Sequence, residues 1–215
     1  MRARASGALF YVAVAYLVAL GAAGLAAPWV APRNPTAQNL DLRFAPPSSS
    51  HPLGTDNFGR DILSRVIYGS RAALLVGLVS VAIAALLGSA VGLAAALSGG
   101  FIDNALMLLM DSLLSFPTVL LAITVVSFMG YGITQVMVAI GVIYSPTFAR
   151  LVRAETLAIK TEGYVEASHA LGTPMALVIL RHVIPNLLGR VVVQASITFA
   201  LSVVVEASLS YLGLG

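Results

Sequence analysis

The chain has 215 residues, 59% of them hydrophobic and only 10% charged, with a mean hydropathy of +0.94 and a formal net charge of +3. Soluble domains carry about 25% charged residues, so this composition excludes an ordinary soluble domain and points to an all-α integral membrane protein. Cysteine is absent, which excludes disulfides and thiolate metal sites. The small, scattered positive charge gives no basis for binding nucleic acid.

Arg2 and Arg4 precede an uncharged run from Gly7 to Ala31. About 20 apolar residues cross a bilayer as a helix, so residues 1–31 are read as an N-terminal transmembrane helix. A cleaved signal peptide has an apolar core of about 7–15 residues. The run here is longer, and a retained span is preferred. Residues 32–71 are rich in Pro, Ser and Asp and are expected as an extracytoplasmic loop. Within it, the spacing of Ile62, Leu63, Val66 and Ile67 predicts a short amphipathic helix on the membrane surface.

Residues 72–215 are expected as a core of four further spans, at about 72–97, 104–128, 133–149 and 191–212. Met129-Gly130-Tyr131-Gly132 separates the second and third of these, and Pro117 and Pro146 are expected to kink their helices. A polar segment, 150–190, precedes the last span. Lys and Arg concentrate in the cytoplasm. Placing the N-terminus inside puts Arg150, Arg153, Lys160, Arg181 and Arg190 on that side together with Arg2 and Arg4, more than the arginines of 32–71. The polar segment is then cytoplasmic.

That segment contains YVEASHALGTPMALVILRHVIPN, Tyr164 to Asn186. Tyr164, Ala167, Ser168 and Leu171 are spaced to share one helical face, with Glu162 and Glu166 one turn apart and away from it. Gly172 suits the residue just past a helix end. Thr173 suits a cap, and Pro174 the first residue of a new helix. That second helix is apolar to Ile184, where Pro185 should end or kink it. Two helices turned at a sharp corner suit docking in another protein's groove.

Other candidates are weighed singly. An ionisable group inside a span is costly and faces a cavity or a partner, so Asp111 and Glu206 read either as a polar lining of a path or as packing contacts. Phe116 and Pro117 mark the expected kink. His51, His169 and His182 are far apart in sequence, which argues against a metal site. No catalytic constellation stands out. Gly88 and Gly92 have the spacing of a close helix contact.

The stretch EASHALG followed by RHVIPN resembles the EAA loop of binding-protein-dependent ABC transporter permeases. Glu166-Ala167-Ser168, three residues, Gly172, nine residues and His182-Val183-Ile184-Pro185 keep its spacing, with Ser168, His182 and Ile184 departing from its alanine, isoleucine and leucine. HPLGTDNFGRDILSRVIYGSR (51–71), FIDNALMLLMDSLLSFPTVLLAI (101–123) and the final EASLSYLGLG look like the dipeptide/oligopeptide/nickel group, C-type partner.

The resemblance implies the type I importer permease fold of six spans, of which this sequence shows about five. It also implies a role: half of the translocation path of an ATP-driven importer, most simply for di- or oligopeptides. The chain itself would not be an enzyme and would hold no cofactor, with ATP and Mg on partner subunits. Implied partners are a second homologous permease subunit, two cytoplasmic ATPase subunits and an extracytoplasmic binding protein. The membrane would be the bacterial or archaeal cytoplasmic one. The chain has no G-x-x-x-x-G-K-[ST] loop. The ATPase contact would be Tyr164, Glu166, Ala167, Ser168, Leu171 and Gly172, on a coupling helix within loop 150–190. Two alternatives stay open: an importer of the same type for nickel or another small solute, and an ATP-independent secondary transporter or channel.

Overall fold

A computed structural model describes the backbone of residues 2–214 and their side chains, except those of residues 2–10, Ala13, Leu17, Glu166, His169 and Ala176. Its elements are helical: α1 (Arg2–Leu25), α2 (Ala27–Val30), α3 (Ile62–Ser98), α4 (Gly100–Leu114), α5 (Thr118–Met129), α6 (Ile133–Lys160), α7 (Gly163–Ala170), α8 (Met175–Val178), a π-turn (Ile179–Val183) and α9 (Ile184–Tyr211). The chain divides into two compact units, 1–75 and 76–215.

In the first unit the segment before α3 is an ordered, hydrogen-bonded loop. Thr55 N–H donates to the Ala45 carbonyl, and Ile62 N–H to that of Gly54. Asp61, buried at the foot of α3, accepts from the Ser64 backbone and hydroxyl, each at 2.8 Å. The His51 Nδ1 lies 3.0 Å from its other oxygen. Asp56 holds Arg60 and Arg65 at 2.7 and 3.0 Å. Burial alone pushes the Asp61 carboxyl up, but the bonds from Ser64 and His51 outweigh it and hold the group below the usual carboxylate range. The loop carries a 3₁₀ turn at Leu40–Leu42, and the surface helix expected at 62–67 is not a separate element. The residues from Ile62 are the opening turns of α3, which runs 37 residues without a break at Ala72. That length is about 55 Å, well beyond the roughly 30 Å of hydrocarbon. Charged side chains do not end a helix; they only end its apolar face.

The second unit packs α5, α6 and α9 around Val126, Val136, Ile140, Val205 and Leu209. α3 meets α6 at small residues. A Cβ on Gly88 would lie 2.2 Å from the Ser145 carbonyl oxygen, and one on Gly92 would lie 2.3 Å from that of Ala149, so the two backbones approach as the glycine spacing suggests. Pro146 sits inside α6. It cannot donate to the Val142 carbonyl, and the Ser145 hydroxyl donates to it instead, at 2.8 Å.

Three further expectations are corrected. The span expected at 104–128 is two helices, α4 and α5, bent by 98° at residues 115–117. Pro117 lacks an N–H and takes an extended ψ of 125°, so Phe116-Pro117 makes a corner rather than a kink. α6 does not stop at Ala149 but continues to Lys160, because Val152, Thr156 and Ile159 extend its buried stripe past the charges. Pro185 does not end a helix. It lies in the first turn of α9, entered through the π-turn, where the Ile184 N–H bonds to the Ile179 carbonyl, and the helix is continuous from Ile179 to Tyr211.

Among the described residues three helices are long and apolar enough to cross a membrane, or four if the bent pair is one crossing. The difference from five falls on residues 7–31, where the described apolar stretch is Val14–Leu25.

Candidate functional site

The corner after α6 is assembled from several local signals. Lys160 closes α6 by donating to the Ala96 carbonyl at the end of α3, at 3.1 Å. Thr161 caps α6, and its hydroxyl donates back to the Ala158 carbonyl. α7 then begins at Gly163. It ends at Ala170, and the chain turns at Gly172, whose φ is +78° and whose Cβ position is open. Conformation rather than space therefore selects glycine there. The Thr173 N–H bonds to the Ser168 carbonyl across the turn, and the Pro174 carbonyl accepts from Leu177 and Val178 to start the next helix.

One apolar cluster holds the corner. Val165 of α7 is buried with Val178 and Val183, and with Val152 and Ile159 of α6 and Leu187 of α9. Outside this cluster Ala167 is exposed and Leu171 is 86% exposed at the tip. Ser168 turns its hydroxyl back onto the Tyr164 carbonyl. Tyr164 is half-exposed and leans toward its own chain. Its ring lies 5.4 Å from that of His182, and Asn186 Nδ2 donates to its hydroxyl at 3.3 Å. The Glu166 side chain, placed on this surface from sequence, lies outside the described side chains.

Ion pairs tie the neighbouring helices together. Arg153 grips Asp103 with two bonds, at 2.6 and 2.7 Å, from α6 to α4. Asp111, singled out from sequence, pairs with Arg150 at 3.2 Å, both half-exposed. Arg190 of α9 pairs with Glu155 of α6. Sequence reasoning missed Asp103. The available signal was two acids eight residues apart on one helix and two arginines three apart on another.

Glu206 is partly buried in α9, and among the described residues no side chain pairs with it. Gln194, Thr198, Ser202 and Glu206 recur every four residues, which puts them on one face of the helix. Gln194 donates to the Thr198 hydroxyl at 3.2 Å, and the buried Ser202 hydroxyl has no partner among the described residues. Phe116 is exposed at the α4–α5 corner. Among the described residues no three His, Asp or Glu side chains converge as metal ligands do.

These features define a polytopic α-helical membrane protein with a polar corner between two long helices. Residues 84–215 match the family described as binding-protein-dependent transport system inner membrane component. The chain is 38% identical over 206 residues to a protein of Brucella suis assigned as a peptide transport system permease, covering 96% of this chain and 69% of that one. It is 41% identical over 169 residues to the glutathione transport system permease GsiD of Pectobacterium atrosepticum, covering 79% and 56%. It is 38% identical over 197 residues to the di/tripeptide transport system permease DppC of Pseudomonas aeruginosa, covering 89% and 65%. The chain belongs to the binding-protein-dependent ABC transporter permeases, in their peptide-type group, and is an integral inner-membrane protein. It spans between about half and about two thirds of the length of these relatives.

Proposed function

We propose that the chain is a permease subunit of an ATP-driven importer of di- or oligopeptides, and that α7 is its coupling helix. The observation that carries this reading is Leu171. This large apolar side chain is 86% exposed at the tip of a corner held from beneath by the buried Val165, Val178 and Val183. An apolar knob on a rigid mount suits a groove in a partner. Ala167 and Ser168 beside it are small enough for close approach, and Glu166 supplies a charge for a basic residue of the ATPase. Closure of two ATPase subunits would move α7, and the buried valines would pass that motion to α6 and α9.

In this reading the N-terminus and the corner are cytoplasmic. A second homologous permease subunit completes the path, a binding protein delivers substrate from outside, and ATP and Mg bind to the ATPase partners alone. Residues 1–31 supply the N-terminal transmembrane helix, 32–71 the extracytoplasmic loop and 72–215 the permease core. The Glu206 face of α9 lines the path, since an unpaired acid in a span otherwise carries a heavy desolvation cost. The peptide assignment is supported by the named substrates of the relatives.

The test is crosslinking from Ala167→Cys to the ATPase subunits in the assembled transporter, alongside uptake into vesicles with and without ATP. Crosslinking and ATP-dependent peptide uptake are expected. Uptake that continues without ATP would replace this reading with a secondary transporter, and uptake of nickel but not peptide would replace the substrate.

A further inference from the structure

Tyr164, His182 and Asn186 come from three elements on opposite sides of one corner. Tyr164 is in the first turn of α7, His182 in the π-turn and Asn186 in the first turn of α9. The Tyr164 and His182 rings meet at 5.4 Å and 60°, a tilted arrangement that aromatic pairs favour. Asn186 Nδ2 donates both to the Tyr164 hydroxyl, at 3.3 Å, and to the His182 carbonyl, at 2.7 Å. π-Turns are rare and recur at functional positions. One extra residue in a turn rotates the helix on one side of it by about 100° relative to the helix on the other, so the π-turn sets the side of the run on which His182 stands.

The rest of the corner leaves the angle of α7 weakly determined. Nothing packs within 4 Å of a Cβ built at Gly172, and Leu171 and Pro174 are exposed. Val165 alone among the described side chains of α7 is buried with Val178 and Val183. A single contact of this kind is a pivot. A second, one residue away and about 100° around the helix, removes the remaining rotation, and Tyr164 supplies it.

We infer that Tyr164, His182 and Asn186 form a latch that fixes α7 against α9, which makes Tyr164 and His182 positioning residues for coupling. They act by holding the angle at which α7 is presented, so that a push on α7 turns α9 instead of folding the corner. The inference rests on the reading of α7 as the coupling helix. It also gives a role to position 182, where this chain carries an aromatic ring in place of the isoleucine of the EAA-type pattern.

The test uses the complete transporter in vesicles and reads the number of ATP molecules hydrolysed per peptide imported. Tyr164→Ala and His182→Ala are expected to raise that ratio about three- to tenfold, the range an aromatic contact can supply, with ATP hydrolysis retained. His182→Phe keeps a ring on Tyr164 and is expected to keep the wild-type ratio. An unchanged ratio in both alanine variants overturns the latch. So does a parallel fall of uptake, hydrolysis and assembly, which is the result of a merely structural role. Failure of Ala167→Cys to crosslink in the otherwise unsubstituted complex overturns the coupling reading instead, so the two failures are distinguishable.

Discussion

Arg153→Ala is the substitution for which the structure gives the sharpest magnitude. The Asp103 side chain is 11% exposed and that of Arg153 33%. The two bonds between them, 2.6 and 2.7 Å long, form a bidentate clasp from α4 to α6. Removing the guanidinium leaves a carboxylate almost buried and without a partner. Hydrogen bonds to charged groups contribute about 1.5–3 kcal/mol, and stranding a fully buried charge costs about 3–5 kcal/mol. Because Arg153 is one-third exposed, water can reach part of the site, and a loss of about 2–3 kcal/mol is expected. The built-in control is Arg150→Ala. Its partner Asp111 is held by one 3.2 Å contact with both side chains about half exposed, which predicts a loss of about 0.5 kcal/mol or less. Reversible unfolding in detergent micelles, followed by far-UV circular dichroism, measures both. Asp103→Asn in the Arg153→Ala background should recover part of the loss, since a neutral amide is cheaper to leave unpaired. Equal effects of Arg150→Ala and Arg153→Ala would refute the ranking by burial, and a loss below about 0.5 kcal/mol for Arg153→Ala would refute the role of the clasp.

Other predictions rest on the same structure. Gly88→Ala should destabilise by about 2 kcal/mol or more because its Cβ meets the Ser145 carbonyl oxygen and the Phe148 Cβ. Gly189→Ala, in a helix with open space, should stabilise by about 0.5–1 kcal/mol in the same unfolding assay. The loop before α3 should loosen in acid. Asp61 and Asp56 are both held below the ordinary aspartate value of 3.8. Their contribution is therefore full above that value and is lost as pH falls through the lower folded values. Hydrogen exchange of the Thr55 and Ile62 amides, corrected for intrinsic rates, should show protection at neutral pH that disappears in this acid range. Asp61→Asn should lack much of that protection at every pH, and protection unchanged in strong acid would contradict the assignment.

Much of the molecule was legible in its linear order because the signals are local. Long uncharged runs report burial in lipid whatever the neighbours are. Gly172 carries its own backbone preference, so the turn after α7 could be placed to that residue, while the next helix begins at Met175, one residue later than Pro174 suggested. Helix continuity was less legible. Charges at Arg65, Arg71, Arg150, Arg153 and Lys160 looked like the borders of spans, yet α3 and α6 run through or up to them. Hydropathy reads the environment of a side chain, while a helix is held by backbone bonds that charges on its surface leave intact.

The sequence by itself determined that this is an all-α membrane protein, that it carries a capped corner in its second half, and that the spacing around Glu166 and Gly172 is that of the permease family. The tertiary structure decided which groups meet. Asp103 and Arg153 are fifty residues apart, and no local pattern says that α4 and α6 will bring them together. The same holds for Tyr164: helical periodicity put it on a stripe with Ala167, Ser168 and Leu171, and only the fold sets its ring against His182 across the corner. Periodicity gives the face of a helix, but which neighbour covers that face depends on how distant helices pack, and that is a property of the folded chain alone.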